Sequence, residues 1–332
     1  MRLRSALASL ALVAALVATA FTASATVNVR AHHRTRHGGP GGVVRVHGRD
    51  ARAHVAKKRP KLKYHGGPVM PASTTYAIYW TPPGHALDGP TYTDIIDRYF
   101  TDTAADSAGD QNVYSVLTQY TDADGNRANY DQTFAGSFID THPYPANGCP
   151  KYRSAAGELI RICLTDKQLR REVQRVVAAN GWTPGIDQAF FMMTPDGVGS
   201  CFGSNGKVCS FTYYCAYHSY VGTQSSPTIY ANIPFAPMLV NGCGTPQEPN
   251  GPVDGTLDSI SHEHREMTND PLLNAWFDRT GYEGSDKCVG NYGKALGTAL
   301  NGDAYNQLIN GNPYFTQREW SNRDRGCKAR RA

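Results

Sequence analysis

All eight cysteines of the chain lie between Cys149 and Cys327, behind an N-terminal stretch built like an export signal. Arg2 and Arg4 precede an apolar run from Ala6 to Phe21 and the small-residue triplet Ala23, Ser24 and Ala25, the pattern of a signal peptide over residues 1–25. That run is short for a membrane span, and no later segment approaches ~20 consecutive apolar residues, so export without retention in the bilayer is expected. A secreted chain with an even number of cysteines is expected to staple itself with disulfides. Spacing leaves their connectivity open, and pairing of neighbours along the chain is the simplest expectation. No CxxC or CxxC…HxxxH string occurs, which argues against a structural zinc cluster. Cys215, with His218 three residues on, is a thiol-nucleophile alternative that ranks behind oxidation.

Charge divides the chain in two. The formal charge is +5, but residues 1–63 hold 13 Lys or Arg against one acid, Asp50, leaving a body with 20 basic and 27 acidic residues, a net of −7. Residues 26–63 have too few apolar side chains to fold alone and read as a disordered basic pro-segment or spacer. A net negative body argues against nucleic acid as a partner, because phosphate binding needs a basic footprint. The basic arm has the charge to fold back on that body.

The body, residues 64–332, is of a size for a single domain, and strand and helix signals alternate along it. Val69 to Trp80 is a β-rich run stopped by Pro82, Pro83 and Gly84. Helices are expected at Thr91 to Ala104, at Val113 to Tyr120, and at Thr165 to Asn180, where Thr165 caps and Gly181 ends. Strands are expected at Thr133 to Ile139, Asp187 to Thr194, Phe211 to Tyr220 and Thr228 to Phe235, with Gly-rich loops at Gly197 to Lys207 and Pro237 to Pro252. The pattern is α/β (α+β): one mixed-sheet domain with flanking helices, stapled by disulfides.

The chemistry concentrates on a helix from Asp254 to Thr268. Leu257, Ile260, His264 and Met267 form its apolar stripe, and Asn269, Asp270 and Pro271 stop it. Within it His262, Glu263, His264, Arg265 and Glu266 spell HExxE, the spacing of a zinc-protease HExxH motif with glutamate in place of the second histidine. His262 and Glu266, at i and i+4, share one side of the helix, and a carboxylate is a legitimate zinc ligand. Glu263 is then the candidate general base. His264, about 200° round from His262, cannot reach the same ion and reads as a packing residue. A third ligand is best supplied by Asp286, with Glu283 in reserve and His218 more distant.

These residues frame a secreted zinc-dependent hydrolase of zincin-like architecture, peptidase-like, in which His262, Glu266 and Asp286 hold Zn²⁺ and Glu263 takes a proton from its water. His218 is a candidate for stabilising the oxyanion or binding substrate. The rival reading is a non-catalytic extracellular wall or surface protein that binds glycan or a protein partner, its metal structural or absent. The blandest alternative for the HExxE string itself is a solvated helix face. A serine triad lacks its G-x-S-x-G string, and the cluster Gly38 to Gly42 lacks the Lys-Ser/Thr tail of a phosphate loop.

Several blocks together resemble the exordium-like, phosphate-induced family of secreted proteins, known from plant cell walls and with bacterial relatives. They are Tyr64 to Val69, Cys215 to His218, Ser261 to Pro271, Asn274 to Trp276, Asp286 with Cys288, and Glu319 to Asn322. The resemblance implies an extracytoplasmic protein linked to growth and cell-wall signalling, whose members share an HExxE-type string. His264 and Arg265 stand where less polar residues are expected.

Overall fold

Six strands build the main sheet of this computed structural model, which describes residues 43–45, 60–87, 91–146, 148–202, 206–236 and 243–331. The export segment and most of the basic arm lie outside the described residues. In chain order the strands are β1 (Val43–Arg45), β2 (Ser73–Trp80), β3 (Gln132–Asp140), β5 (Gln188–Thr194), β7 (Tyr214–Thr223) and β8 (Ser226–Pro234). Two further strands, β4 (Ile162–Thr165) and β6 (Val198–Phe202), belong to a smaller sheet. The helices are α1 (Tyr92–Ala105), α2 (Asp166–Ala179) and α3 (Asp254–Asn269).

Across the main sheet the order is β1-β7-β8-β5-β2-β3. The four strands from β8 to β3 run parallel, whereas β7 is antiparallel to β8 and β1 antiparallel to β7. The architecture is therefore mixed α/β, with crossovers that carry helices to both faces. Side-chain alternation splits the core accordingly. Ala77, Tyr79, Phe191, Met193, Ala231 and Ile233 face α1 and α3, while Ile78, Trp80, Phe190, Met192 and Tyr230 face Leu169, Val173 and Val176 of α2. Burial on both faces is why these strands read as continuous apolar runs rather than alternating ones.

Local signals placed α2 well. Thr165 Oγ1 accepts from the Gln168 N–H while the Gln168 side chain returns to the Thr165 N–H, a complete capping box. The short helix expected at Val113 to Tyr120 is a 3₁₀ helix over Val113–Gln119. One expectation needs correction. The Gly197 to Lys207 loop contains β6, all five residues of which are buried. Its Gly199 and Ser200 carry no strand propensity, but their smallness lets the strand pack under Tyr152, whose hydroxyl would stand 2.3 Å from a Cβ at Gly199.

The four disulfides join neighbours along the chain: Cys149–Cys163, Cys201–Cys209, Cys215–Cys243 and Cys288–Cys327. No cysteine is left for a thiol nucleophile, Cys215 included. The folded body reaches back to Leu62, which is buried in the core, and Lys63–Tyr64 pairs with Trp276–Phe277. Among the described residues, no helix is long and apolar enough to cross a membrane.

Candidate metal centre

Helix α3 has no solvated face: all sixteen of its residues are buried. That overturns the bland alternative for the HExxE string and enlarges the expected inner face to the whole circumference. A polar helix in such a place must find partners for every charge, since an unpaired buried charge costs several kcal/mol. Asp258 accepts from the Gln317 N–H and the Tyr292 hydroxyl. Arg265 donates to the Gln317 carbonyl at 2.9 Å, and its Nε lies 3.3 Å from Glu319 Oε2. His264 packs edge-on to Phe191 and Tyr114 and bonds Ser73 Oγ at 2.8 Å; burial, with Arg265 alongside, lowers its pKa to about 3. It is a neutral core residue.

The remaining polar side chains of α3 converge toward β7 and a turn in the C-terminal segment. His262 Nε2 lies 3.1 Å from Glu266 Oε1 and 3.7 Å from Asp286 Oδ1. Glu266 Oε1 also accepts from the Asp286 backbone N–H at 2.9 Å, tying helix to turn directly. The 3₁₀ turn Asp286–Cys288 is held from outside by the Cys288–Cys327 disulfide and by Gln317 Nε2 donating to the Ser285 carbonyl. Gly284 allows the close approach, because a Cβ there would stand 1.9 Å from Glu319 Oε1.

His218 reaches the centre from β7. Opposite Ala231 in the ladder, it points to the α3 face of the sheet, and its Nδ1 lies 3.0 Å from Glu263 Oε2. Its Nε2 faces the Asp270 carbonyl at 3.3 Å and Glu283 Oε1 at 3.9 Å. Both ring nitrogens thus face oxygen atoms, one of Glu263 and one of the Asp270 backbone.

Each of the five residues singled out from the sequence is therefore in one place. Two overlapping sets have ligating atoms within 4.8 Å of one another: His262, Glu266 and Asp286, and His218, Glu263 and Glu266. Glu266 belongs to both. Two further carboxylates complete the cluster, the reserve candidate Glu283 and Asp270, which sequence reasoning treated as a helix stop. The available signal was periodic, since Asp270 continues the i, i+4 series from His262 through Glu266.

The electrostatics are those of crowded, buried carboxylates. Burial pushes Asp270 up to about 7, against N–H bonds from Asn274 and Ala275 that favour its charged form. Burial, followed by the surrounding carboxylates of Glu266, Asp270, Asp286 and Glu263, holds Glu283 well above the ordinary range. Burial lowers the pKa of His262, with Asp286 opposing, so the ring favours its neutral, ligating form. Glu283 Oε1 and Asp270 Oδ2 are buried without a hydrogen-bond partner. Imidazole with carboxylate oxygens is a donor set that fits several divalent ions, zinc among them.

The separate sequence blocks meet around this helix. Tyr64 pairs with Trp276, His65 stacks on Phe277 at 3.5 Å, the Gly67 N–H donates to the Asn274 carbonyl, and Glu319 answers Arg265. Comparison with known proteins agrees. The chain is 28% identical over 263 residues to Protein EXORDIUM-like 5 of Arabidopsis thaliana, covering 71% of this chain and 66% of that protein. It is 32% identical over 118 residues to Protein EXORDIUM-like 3 of the same plant, covering 30% of this chain and 35% of that one. No family model matches, and no solved structure matches. The chain thus spans about two thirds of the first relative's length and about a third of the second's, a distant likeness that supports an exordium-like family.

Proposed function

We propose that this is a secreted, peptidase-like zinc hydrolase of zincin-like architecture, its ion held by His262, Glu266 and Asp286. The observation that carries the reading is the convergence of one histidine and two carboxylates from a helix and a remote turn, beside buried carboxylate oxygens that lack partners. When bound, zinc supplies Lewis acidity, which polarises a carbonyl and makes water acidic enough to attack near neutral pH. Glu263 takes the proton of the attacking water and passes it to the leaving amine. His218 orients Glu263 through the Nδ1 contact; with both ring nitrogens engaged, this positioning role replaces the oxyanion role expected for it.

Burial of His218, His262, Glu263 and Glu266, with Asp286 half-buried, favours a second reading, a non-catalytic extracellular protein that binds glycan or a protein partner and whose metal only braces α3 against the Asp286 turn. The variant Glu263→Gln separates the two. Under the hydrolase reading it keeps stoichiometric zinc by metal analysis and the wild-type melting profile, yet loses turnover of a peptide library, because an amide cannot take the proton. Zinc bound with no turnover by the wild type under any condition supports the bracing role instead.

A further inference from the structure

The sheet edge beside the centre is filled by Val43–Arg45, three residues of the chain's own basic arm. β1 pairs antiparallel with β7, Val43 opposite Tyr217 and Val44 opposite Ala216, immediately before His218. Its backbone also lies against α3 and the Asp286–Cys288 turn, the two elements that carry the proposed ligands. We propose that the β7 edge is a docking edge for an extended peptide, and that Val43–Arg45 occupies it as an intramolecular stand-in for that peptide.

Three observations support this occupant. A sheet edge presents a row of unpaired N–H and C=O groups, which an extended peptide completes by strand addition regardless of most of its sequence. β1 comes from an arm with too few apolar residues to fold alone, and it joins the sheet by backbone pairing with β7. The charges match as well: the arm that supplies β1 is rich in Lys and Arg, and the helix and turn that β1 lies against carry Glu263, Glu266 and Asp286. The peptide is therefore one without acidic side chains where it passes the cluster. Because the arm is tethered, its effective concentration at the edge is of millimolar order, and a free peptide at micromolar concentration is kept out. The inference rests on the reading of the centre as one that engages peptides, and it accounts for that centre being covered.

The test uses the full mature chain and a labelled synthetic peptide with the sequence of residues 40–48. In the double variant Val43→Pro and Val44→Pro one ring removes the backbone donor that faces β7, because successive N–H groups of a strand point to opposite sides. Hydrogen exchange at the Tyr214–Tyr217 amides facing β1 should then speed up by at least about tenfold while β8 and α3 stay protected, and the peptide should bind at least about tenfold tighter than to the wild type. The softer triple replacement V43G, V44S and R45G should act likewise, and covers the case in which proline impairs folding. A probe peptide with glutamate in place of its arginine should bind less well. Unchanged exchange at β7, or an opened edge that gains no peptide affinity, overturns the proposal. Zinc analysis of the same samples keeps the two readings apart: peptide gain without zinc leaves the docking edge standing and removes the hydrolase, whereas zinc without peptide gain does the reverse.

Discussion

Glu266→Gln is the sharpest perturbation of the centre, because this residue is shared by both candidate ligand sets and the substitution keeps its shape. Without metal, Glu266 does two opposed things. Its Oε1 accepts the Asp286 N–H, which an amide oxygen can still do, and its charge crowds Glu283, whose carboxyl it helps hold well above the ordinary range. Removing that charge relieves the crowding at Glu283, so chelator-treated Glu266→Gln should be at least as stable as the chelator-treated wild type. With metal the order reverses. Zinc at about 100 times its dissociation constant stabilises the wild type by about 2.7 kcal/mol, a rise of about 5–10 °C in Tm for a domain of this size, whereas the variant should move by less than ~1 °C. The assay is differential scanning calorimetry of both proteins with chelator and with zinc, read alongside metal content. If the chelator-treated variant falls by several kcal/mol, or zinc raises both proteins equally, Glu266 is a structural hydrogen-bonding residue and the ligand assignment is wrong.

Other consequences follow from the same structure. Glu319→Gln strands the buried Arg265 guanidinium and should cost about 3–5 kcal/mol in denaturant unfolding; a loss under ~1 kcal/mol would show the pair to be dispensable. Burial pushes Asp254 up to about 7, against the Asn250 bonds that favour its charged form. A folded pKa raised above the unfolded one gives stability that is full below about pH 4 and lost as pH rises through about 7; Asp254→Asn should flatten that slope, and a variant with the wild-type slope would refute the assignment. Replacing Cys215 and Cys243 by alanine opens a loop with a sequence separation of 28 and should cost about 3–4 kcal/mol in the loop-entropy account, read from the urea midpoint. The loss should leave zinc stoichiometry unchanged if β7 keeps its register at His218.

What the amino-acid sequence determined by itself was whatever depends on near neighbours. The Thr165 to Gln168 capping box, the apolar runs of the parallel strands, and the i, i+4 placement of His262 and Glu266 are set by helical and strand periods and survive into the structure unchanged. The expected pairing of neighbouring cysteines belongs with them, for short separations close the cheapest loops. The small-residue strand Val198–Phe202 escaped notice because packing under Tyr152 and pairing with β4, not propensity, make it a strand. Only the tertiary structure decided that α3 is buried on every side, since Asp258 and Arg265 look solvated until Gln317 and Glu319 arrive from a distant segment. It likewise decided that Glu283 and Asp270 join the cluster, and that Val43–Arg45 lies along β7. Contacts between residues far apart in the chain leave no period to read, and what selects them is the cost of burying a charge or a sheet edge unpaired.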